Sequence, residues 1–216
     1  MEKICLITAN MGNFDRVEEP IKQSIPVDFY RFTDDNFPPR YCAMTPRLQA
    51  RLVKLFGWQM IPNYDYYIWV DSSLTITNPD AVKWLLEQCK SVDMAFFKHP
   101  DRDTIQEEYD FIKKKIEEGN YYLCPRYTNE LLDEQLAEIK ADKGFTDNLL
   151  IASGVFIYKN NPKVHNLMKE WWYHTSRYHI VDQLGLPYAI YKSECKVNII
   201  KEHYMKNPYL KYIGHK

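Results

Sequence analysis

The sequence predicts an α/β fold in which a mostly parallel central sheet is flanked by helices. Strand-like segments alternate with helix-like segments over the first hundred residues, and parallel β-α units with right-handed crossovers produce this order. Apolar residues make up 45% and charged residues 26% of the 216 residues, an ordinary globular composition. Because no repeat or low-complexity linker divides the chain, residues 1–216 are predicted to form a single domain, either alone or as one domain of a longer protein.

The strand predictions rest on short apolar runs that stop at polar residues. Residues 66–70 are five bulky, strand-favouring residues, as in a buried central strand. Further strands are predicted over residues 4–9, 27–32, 93–98 and 151–158.

The helix predictions rest on N-terminal signals and on amphipathic charge patterns. Thr45 with Pro46 is typical of a helix start, with a capping side chain followed by proline in the first turn. The charged stretch 104–143 is expected to lie outside the central sheet as a lid. Helices are predicted over residues 46–56, 79–89, 104–118, 129–141 and 162–173.

Charge and cysteine content limit the class of protein. A formal net charge of -1 lacks the basic excess of nucleic-acid-binding proteins, so we expect no nucleic-acid partner. No apolar run reaches the length of a membrane span, so no membrane segment is expected in this chain. The five cysteines are odd in number, widely spaced and without a C-x-x-C motif, which indicates a reducing compartment and a cytoplasmic location.

Polar residues follow four of the predicted strands. Because ligands of open α/β sheets bind at the carboxyl ends of the strands, these residues predict a polar ligand at one sheet edge. Asp71 is then a metal ligand, a ribose ligand or a catalyst, or alternatively it caps the next turn. Neither glycine-rich phosphate motif is present, so phosphate must be held by a cation, by Arg and Lys, or by both. The four strand ends are Thr8-Ala9-Asn10, Thr33-Asp34-Asp35, Asp71-Ser72-Ser73 and Lys98-His99.

Together these motifs resemble the GT-A glycosyltransferases, which take a sugar from a nucleotide diphosphate. The chain is most similar to the glycosyltransferase-like family that includes plant wall-polysaccharide proteins, and it also resembles a large-virus glycosyltransferase domain. The resemblance implies a GT-A-like α/β fold, with a small antiparallel addition to the mostly parallel sheet. The residues that carry it are 7–12, 29–35, 46–51 with Lys54, 67–71, 99–102 with Glu107 and Glu108, and Asp182-Gln183 with Pro187-Tyr188.

The resemblance also implies a divalent cation, Mn²⁺ or Mg²⁺. In the class a D-x-D element holds the cation, and the match here is Asp71-Ser72-Ser73, which lacks the second Asp. The expected ligands are therefore Asp71, Ser73 and a late histidine. His215 is the candidate for that histidine, with His203 in reserve, and for both a solvent-exposed or core position is the alternative.

Donor binding is implied for a set of residues at the strand ends and on the first helix. Residues 8–10 are expected to meet the nucleobase and Asp34 the uracil or ribose, unless Asp34 is only a turn residue. Spacing places Arg47, Arg51 and Lys54 on one helix face, a pattern that solvated basic stripes share. Gly154 allows close approach of the sugar or marks a strand bulge. The implied donor-binding residues are Thr8, Ala9, Asn10, Asp34, Arg47, Lys54, Asp71, Ser72, Ser73, Arg102 and Gly154.

Asp182 is the leading candidate for the general base, by its resemblance to a late Asp-Gln element that faces the transferred sugar. His99 is the second catalytic candidate, and Glu107 and Glu108 are rivals unless they form an exposed helix face. A base must reach the acceptor hydroxyl, which the sequence does not show. Trp171 and Trp172 either stack on an acceptor saccharide or pack in the core.

The predicted function is transfer of a hexose or deoxyhexose from a nucleotide diphosphate donor, expected to be a UDP-sugar, to a saccharide or glycan acceptor with metal assistance. The incomplete acidic motif leaves open a non-catalytic module that binds nucleotide sugars. A nucleotidyltransferase is a third possibility, although the lack of a glycine-rich loop after the first strand counts against it.

Overall fold

A computed structural model describes residues 2–215, and its centre is a six-stranded sheet. The order is β2-β1-β3-β6-β5-β7. β6 is antiparallel to both of its neighbours and the other five strands share one direction, so the prediction of a mostly parallel sheet is confirmed. The strands are β1 (Ile4–Asn10), β2 (Asp28–Thr33), β3 (Tyr66–Val70), β4 (Leu74–Ile76), β5 (Met94–Lys98), β6 (Ile151–Lys159), β7 (Val197–Ile200) and β8 (Leu210–Tyr212).

Helices cover both faces of this sheet. The Thr45 side chain accepts a hydrogen bond of 3.2 Å from the backbone N–H of Leu48, so the predicted N-cap of the first helix is confirmed. None of the helices in the described residues is long and apolar enough to cross a membrane. The helices are α1 (Pro46–Met60), α2 (Ala81–Cys89), α3 (Ile105–Glu117), α4 (Cys124–Tyr127), α5 (Leu132–Ala141), α6 (Pro162–Arg177) and α7 (Asp182–Lys192).

The sheet divides the core into two layers. The side chains of β1 point alternately into one layer and the other. Its residues Cys5 and Ile7 point into a cluster with side chains of α1 and α6, whereas Ile4 and Leu6 point into a cluster with side chains of α2. Successive strand residues face opposite sides, so one short apolar strand supplies both layers. A third cluster joins α3, α5 and α7 beside the sheet. The 104–143 stretch contributes no strand and therefore lies outside the sheet, as predicted.

The small antiparallel addition is also confirmed. β4 pairs with β8, so that Leu74 lies opposite Tyr212 and Ile76 opposite Leu210. Just beyond this pair, the backbone N–H of Ile213 donates to the carbonyl of Ser73 over 2.8 Å. The end of the described chain is thereby held against the turn that follows β3.

The strand β7 and the helix α7 were not predicted. α7 contains Gly185 and Pro187, residues that normally interrupt helices. At Gly185 a Cβ atom would lie only 2.7 Å from the Cβ of His174, so the close packing of α7 on α6 requires a glycine there. Tertiary packing therefore overrides the local preference. α1 and α6 each run four residues beyond their predicted ends.

Candidate active site

A cleft of about 610 Å³ opens at the carboxyl ends of β1, β3 and β5. α1 forms one wall, α3 and α4 form a second, and residues from the end of the chain form a third. The predicted meeting of polar strand ends is confirmed for three of the four ends, whereas residues 33–35 lie elsewhere. The strand-end residues that line the cleft are Ala9, Asn10, Asp71, Ser73 and His99.

Asp71 faces this cleft with its side chain 30% exposed. Its Oδ1 accepts a hydrogen bond of 2.6 Å from Trp69 Nε1 and lies 3.5 Å from Lys54 Nζ. Its backbone N–H donates to the carbonyl of Gly154 over 2.8 Å. A Cβ atom at Gly154 would lie 3.4 Å from Asp71 Oδ2, so a glycine at this position leaves the second carboxylate oxygen open.

Both sequence interpretations of Gly154 agree with its position in β6. Phe96 pairs with Phe156, whereas the next residue, Phe97, pairs with Ala152. The segment 153–155 therefore bulges out of the ladder with β5, and Gly154 lies in the bulge beside Asp71. Bulges commonly re-aim side chains next to functional sites.

A buried charge cluster lies beneath the floor of the cleft. Lys54 is 1% exposed, and its Nζ lies 2.6 Å from Asp182 Oδ2 and 3.3 Å from Ser153 Oγ. Arg51 Nε lies 3.0 Å from the same carboxylate oxygen, and Ser153 Oγ donates to Asp182 Oδ1 over 3.0 Å. Burial favours the neutral acid, but Arg51 and Lys54 outweigh it and hold the pKa of Asp182 below its usual value. The pairing explains how a lysine can be buried in an apolar core.

Asp182 does not line the cleft, although its neighbours Val181 and Gln183 do. Both of its oxygens are engaged, and a carboxylate with a lowered pKa is a weak proton acceptor. Its geometry therefore does not favour the predicted general-base role. Asp182 instead positions the cations Lys54 and Arg51.

His99 lines the cleft, but both nitrogens of its ring already have hydrogen-bond partners. Nδ1 accepts hydrogen bonds from the backbone N–H groups of Asp101 at 3.3 Å and Arg102 at 3.1 Å. Nε2 lies 3.3 Å from a guanidinium nitrogen of Arg102. Burial, with Arg102 nearby, lowers the pKa of His99 to about 4. These contacts favour a structural role at the start of the loop after β5 over the predicted catalytic role.

The two rival glutamates have different environments. Glu107 belongs to the capping box of α3, where its Oε2 accepts from the backbone N–H groups of Asp103 and Thr104. Glu108 is buried, lines the cleft and forms an ion pair with Arg102. Burial raises the pKa of Glu108, although Arg102 opposes the shift. Of the four predicted candidates for the base, Glu108 is the carboxylate that the structure places at the cleft.

His215 closes the third wall through a network that the sequence did not reveal. Its Nδ1 is hydrogen-bonded to Asp15, and its Nε2 lies 2.9 Å from the hydroxyl of Tyr122. Ser72 Oγ donates to the other carboxylate oxygen of Asp15, and Asn10 binds the Asp15 backbone in both directions. Ser72 and Asn10 therefore support Asp15. Asp15 stands alone in a loop, without a periodic pattern that marks it.

The predicted metal ligands Asp71, Ser73 and His215 all line the cleft. Within residues 2–215, no three His, Cys, Asp or Glu side chains are placed to hold a metal ion. Asp71 Oδ1 is engaged by Trp69 and Lys54, and both ring nitrogens of His215 are engaged. Mn²⁺ and Mg²⁺ require several oxygen or imidazole ligands. As placed, Asp71, Ser73 and His215 do not fit a resident divalent cation.

Other predicted binding residues lie away from the cleft. Thr8 lines a separate cavity of about 20 Å³ on the opposite face of the sheet, where its Oγ1 has no hydrogen-bond partner among the described residues. Asp34 lies in the turn after β2, as the turn alternative predicts, and its two carboxylate oxygens accept from the backbone N–H of Gly12 at 3.1 and 3.0 Å. Trp171 is fully buried, and Trp172 packs edge-to-face against Phe56. These positions favour structural roles for Asp34, Trp171 and Trp172.

The chain thus combines an α/β layout with a polar cleft at the carboxyl ends of its strands. Residues 41–211 match the family described as TOD1/MUCI70, glycosyltransferase-like domain. This match covers most of the chain, which therefore belongs to that family, and the predicted family resemblance is confirmed. The comparison with curated proteins found no match.

Several solved structures are similar in layout to this chain. They include the bifunctional glycosyltransferase WbbM in its apo form (11% identity, TM-score 0.49), of which the match covers 92% of this chain and 39% of that chain. Mouse xyloside xylosyltransferase 1 is 8% identical with a TM-score of 0.44, over 92% of this chain and 84% of that chain. The 4-diphosphocytidyl-2C-methyl-D-erythritol synthase of Anaerococcus prevotii is 9% identical with a TM-score of 0.47, over 95% and 91%. All three TM-scores are below 0.5, and we base no functional conclusion on them.

Proposed function

We propose that this chain is a glycosyltransferase that moves a hexose or deoxyhexose from a UDP-sugar to a saccharide or glycan acceptor. Residues 1–216 act in this proposal as a single GT-A-like domain, and the location is the cytoplasm. The observation that supports it best is the cleft at the carboxyl ends of the strands. There Asp71 follows the central strand β3, across from Arg47 and Arg51 of α1.

The cleft offers charges of both signs for this reaction. In sugar transfer the bond from the anomeric carbon to the diphosphate oxygen breaks, and its electron pair stays on the diphosphate. The acceptor oxygen bonds to that carbon and gives up its proton. Positive charge therefore builds on the sugar ring and negative charge on the diphosphate. The arginines face the diphosphate, Asp71 faces the sugar, and Glu108 takes the acceptor proton.

No step of this mechanism is assigned to a metal. Asp71, Ser73 and His215, the residues expected to hold Mn²⁺ or Mg²⁺, do not fit one as placed. The release of nucleoside diphosphate is therefore measured both with Mn²⁺ and with EDTA.

Release of nucleoside diphosphate from a panel of nucleotide sugars tests the proposal. The panel is run with simple saccharide acceptors, in Mn²⁺ and in EDTA, against a heat-inactivated control. Release of UDP above the control supports the enzyme. A raised unfolding midpoint without any release identifies a non-catalytic binding module. Release of pyrophosphate from a nucleoside triphosphate identifies a nucleotidyltransferase instead.

A further inference from the structure

Two guanidinium groups at the cleft have no carboxylate partner. Arg51 is paired with Asp182, and Arg102 is paired with Glu108. Arg47 and Arg126 also line the cleft, but within residues 2–215 neither forms an ion pair with a carboxylate. Charged groups that are partly buried are normally paired, so two unpaired neighbours of like sign require an explanation.

One aromatic ring lies beside both guanidinium groups. The guanidinium carbons of Arg47 and Arg126 lie 5.1 Å and 5.3 Å from the centroid of the same ring, that of Phe14. Arg126 also lies 3.3 Å from the centroid of the Tyr122 ring. These ring contacts restrain both planar guanidinium groups.

The two arginines come from opposite walls of the cleft. Arg47 stands in the first turn of α1, which Thr45 caps. Arg126 stands on α4, and the turn that leads into α4 is fixed by the side chain of Asn120, which accepts from the backbone N–H groups of Tyr122 and Leu123 at 3.0 Å each. An anion between these walls would therefore contact side chains of two helices, each of which is held in place by its own hydrogen bonds.

The arrangement is electrostatically costly without an anion. Burial lowers the pKa of Arg47, and the neighbouring charge of Arg126 lowers it further. Within residues 2–215 neither arginine forms an ion pair with a cleft carboxylate, and these carboxylates have other partners. Asp71 lies beside Lys54, Glu108 pairs with Arg102, and Asp15 is hydrogen-bonded to Ser72 and His215. A bound dianion would remove the repulsion and accept hydrogen bonds from both guanidinium groups.

We propose that Arg47 and Arg126 form a guanidinium clamp for the diphosphate of the donor and that this clamp supplies the positive charge expected from a divalent cation. The inference rests on the proposed function only for the identity of the donor. Guanidinium groups bind phosphate oxygens through paired N–H···O bonds, and two of them match the charge of a diphosphate. The clamp binds the ground-state diphosphate and stabilises the negative charge that builds on it as the sugar leaves.

Calorimetric titration with inorganic pyrophosphate in EDTA tests the clamp apart from catalysis. The wild-type protein is expected to bind, and Arg47→Gln and Arg126→Gln are each expected to weaken binding about tenfold or more, as for loss of a charge-assisted hydrogen bond. Arg177→Gln is the matched control. Its guanidinium also stacks on a tyrosine, 5.1 Å from the ring of Tyr178, but it does not line the cleft.

The outcomes separate the clamp from the proposed function. Binding that needs Mn²⁺, or that both cleft variants retain at full strength, overturns the clamp. Metal-free binding that both variants lose, with no turnover of any nucleotide sugar, supports the clamp and rejects the glycosyltransferase. Sugar transfer at full rate in both variants supports the enzyme and rejects the clamp. Because the arginines lie on different helices, misfolding of one variant, detected by circular dichroism, leaves the other as the test.

Discussion

Lys54 Nζ lies 2.6 Å from Asp182 Oδ2, a contact between side chains 128 positions apart in the sequence. Both residues are at least 96% buried. The pair joins α1 to the start of α7 directly beneath the cleft, and the same two groups contact Asp71 and Arg51 at the cleft surface. The pair therefore helps to fix the positions of Asp71 and Arg51, which line the cleft.

Lys54→Met is expected to lower the free energy of unfolding by about 3 kcal/mol, because it leaves a buried carboxylate with Arg51 as its remaining cationic partner and Ser153 as its remaining hydrogen-bond donor. Urea unfolding measures the change. Lys90→Met is the control, since Lys90 forms an exposed pair with Glu87 and should cost less than about 0.5 kcal/mol. Equal losses of unfolding free energy in the two variants would show that the buried pair stabilises the fold no more than an exposed pair does.

Asp182→Asn distinguishes a positioning role from the general-base role. If Asp182 positions Lys54 and Arg51, the variant loses stability, and the activity that remains keeps the pH profile of the wild type. Urea unfolding and a pH series of kcat/KM measure the two effects. Full stability together with loss of the acidic limb of the profile, where the base becomes protonated, would restore Asp182 as the base.

Gly154→Ala is expected to lower kcat/KM for the donor about tenfold. The added methyl group would lie 3.3 Å from Leu74 Cδ1, a tight contact, and in van der Waals contact with Asp71 Oδ2 at 3.4 Å, so it would occupy space beside the open oxygen of Asp71. Gly119→Ala is the control. Its φ of +68° makes the substitution strained by about 1 kcal/mol, but no atom lies within 4 Å of the new methyl group. Unchanged kcat/KM for the donor in Gly154→Ala would show that this glycine does not contribute to the donor site.

Stability is expected to fall as the pH decreases from about 6.5 to about 4. Burial, with His174 nearby, lowers the pKa of His179 to about 4, and His99 has a similarly lowered pKa. A depressed histidine pKa means that the folded state binds fewer protons than the unfolded state, so acid favours unfolding. Each histidine contributes at most about 3 kcal/mol across this range.

Chemical denaturation at a series of pH values measures this dependence. His179→Gln should flatten the curve between pH 6.5 and 4, and His203→Gln serves as the control because His203 is only partly buried. A curve for His179→Gln that parallels the wild type would show that another group causes the loss.

The sequence predicted the parts of the fold that local patterns encode. Apolar runs that end at polar residues marked β1, β3 and β5, and Thr45 with Pro46 marked the start of α1. Parallel strands bring their carboxyl ends to one edge, so the meeting of Asn10, Asp71 and His99 also followed from the sequence.

Long-range contacts determined what the sequence did not predict. Nothing near Asp182 in the chain indicates that Lys54 neutralises it, because the partner arrives only through tertiary packing. Arg126 lies on a four-residue helix with no periodic pattern, and its unpaired state depends on which carboxylates the fold engages elsewhere. Such features depend on three-dimensional charge pairing rather than on residue spacing.

Donor turnover by Asp71→Ala is the most direct test of the central claim that Asp71 at the end of β3 belongs to a sugar-transfer site. The assay measures nucleoside diphosphate released from the preferred nucleotide sugar, with Asp110→Ala, an exposed position on α3, as the control. We expect wild-type protein and Asp110→Ala to release the product, and Asp71→Ala to remain folded while losing at least 99% of the rate, about 2.7 kcal/mol of transition-state stabilisation. Wild-type turnover in Asp71→Ala would contradict the account.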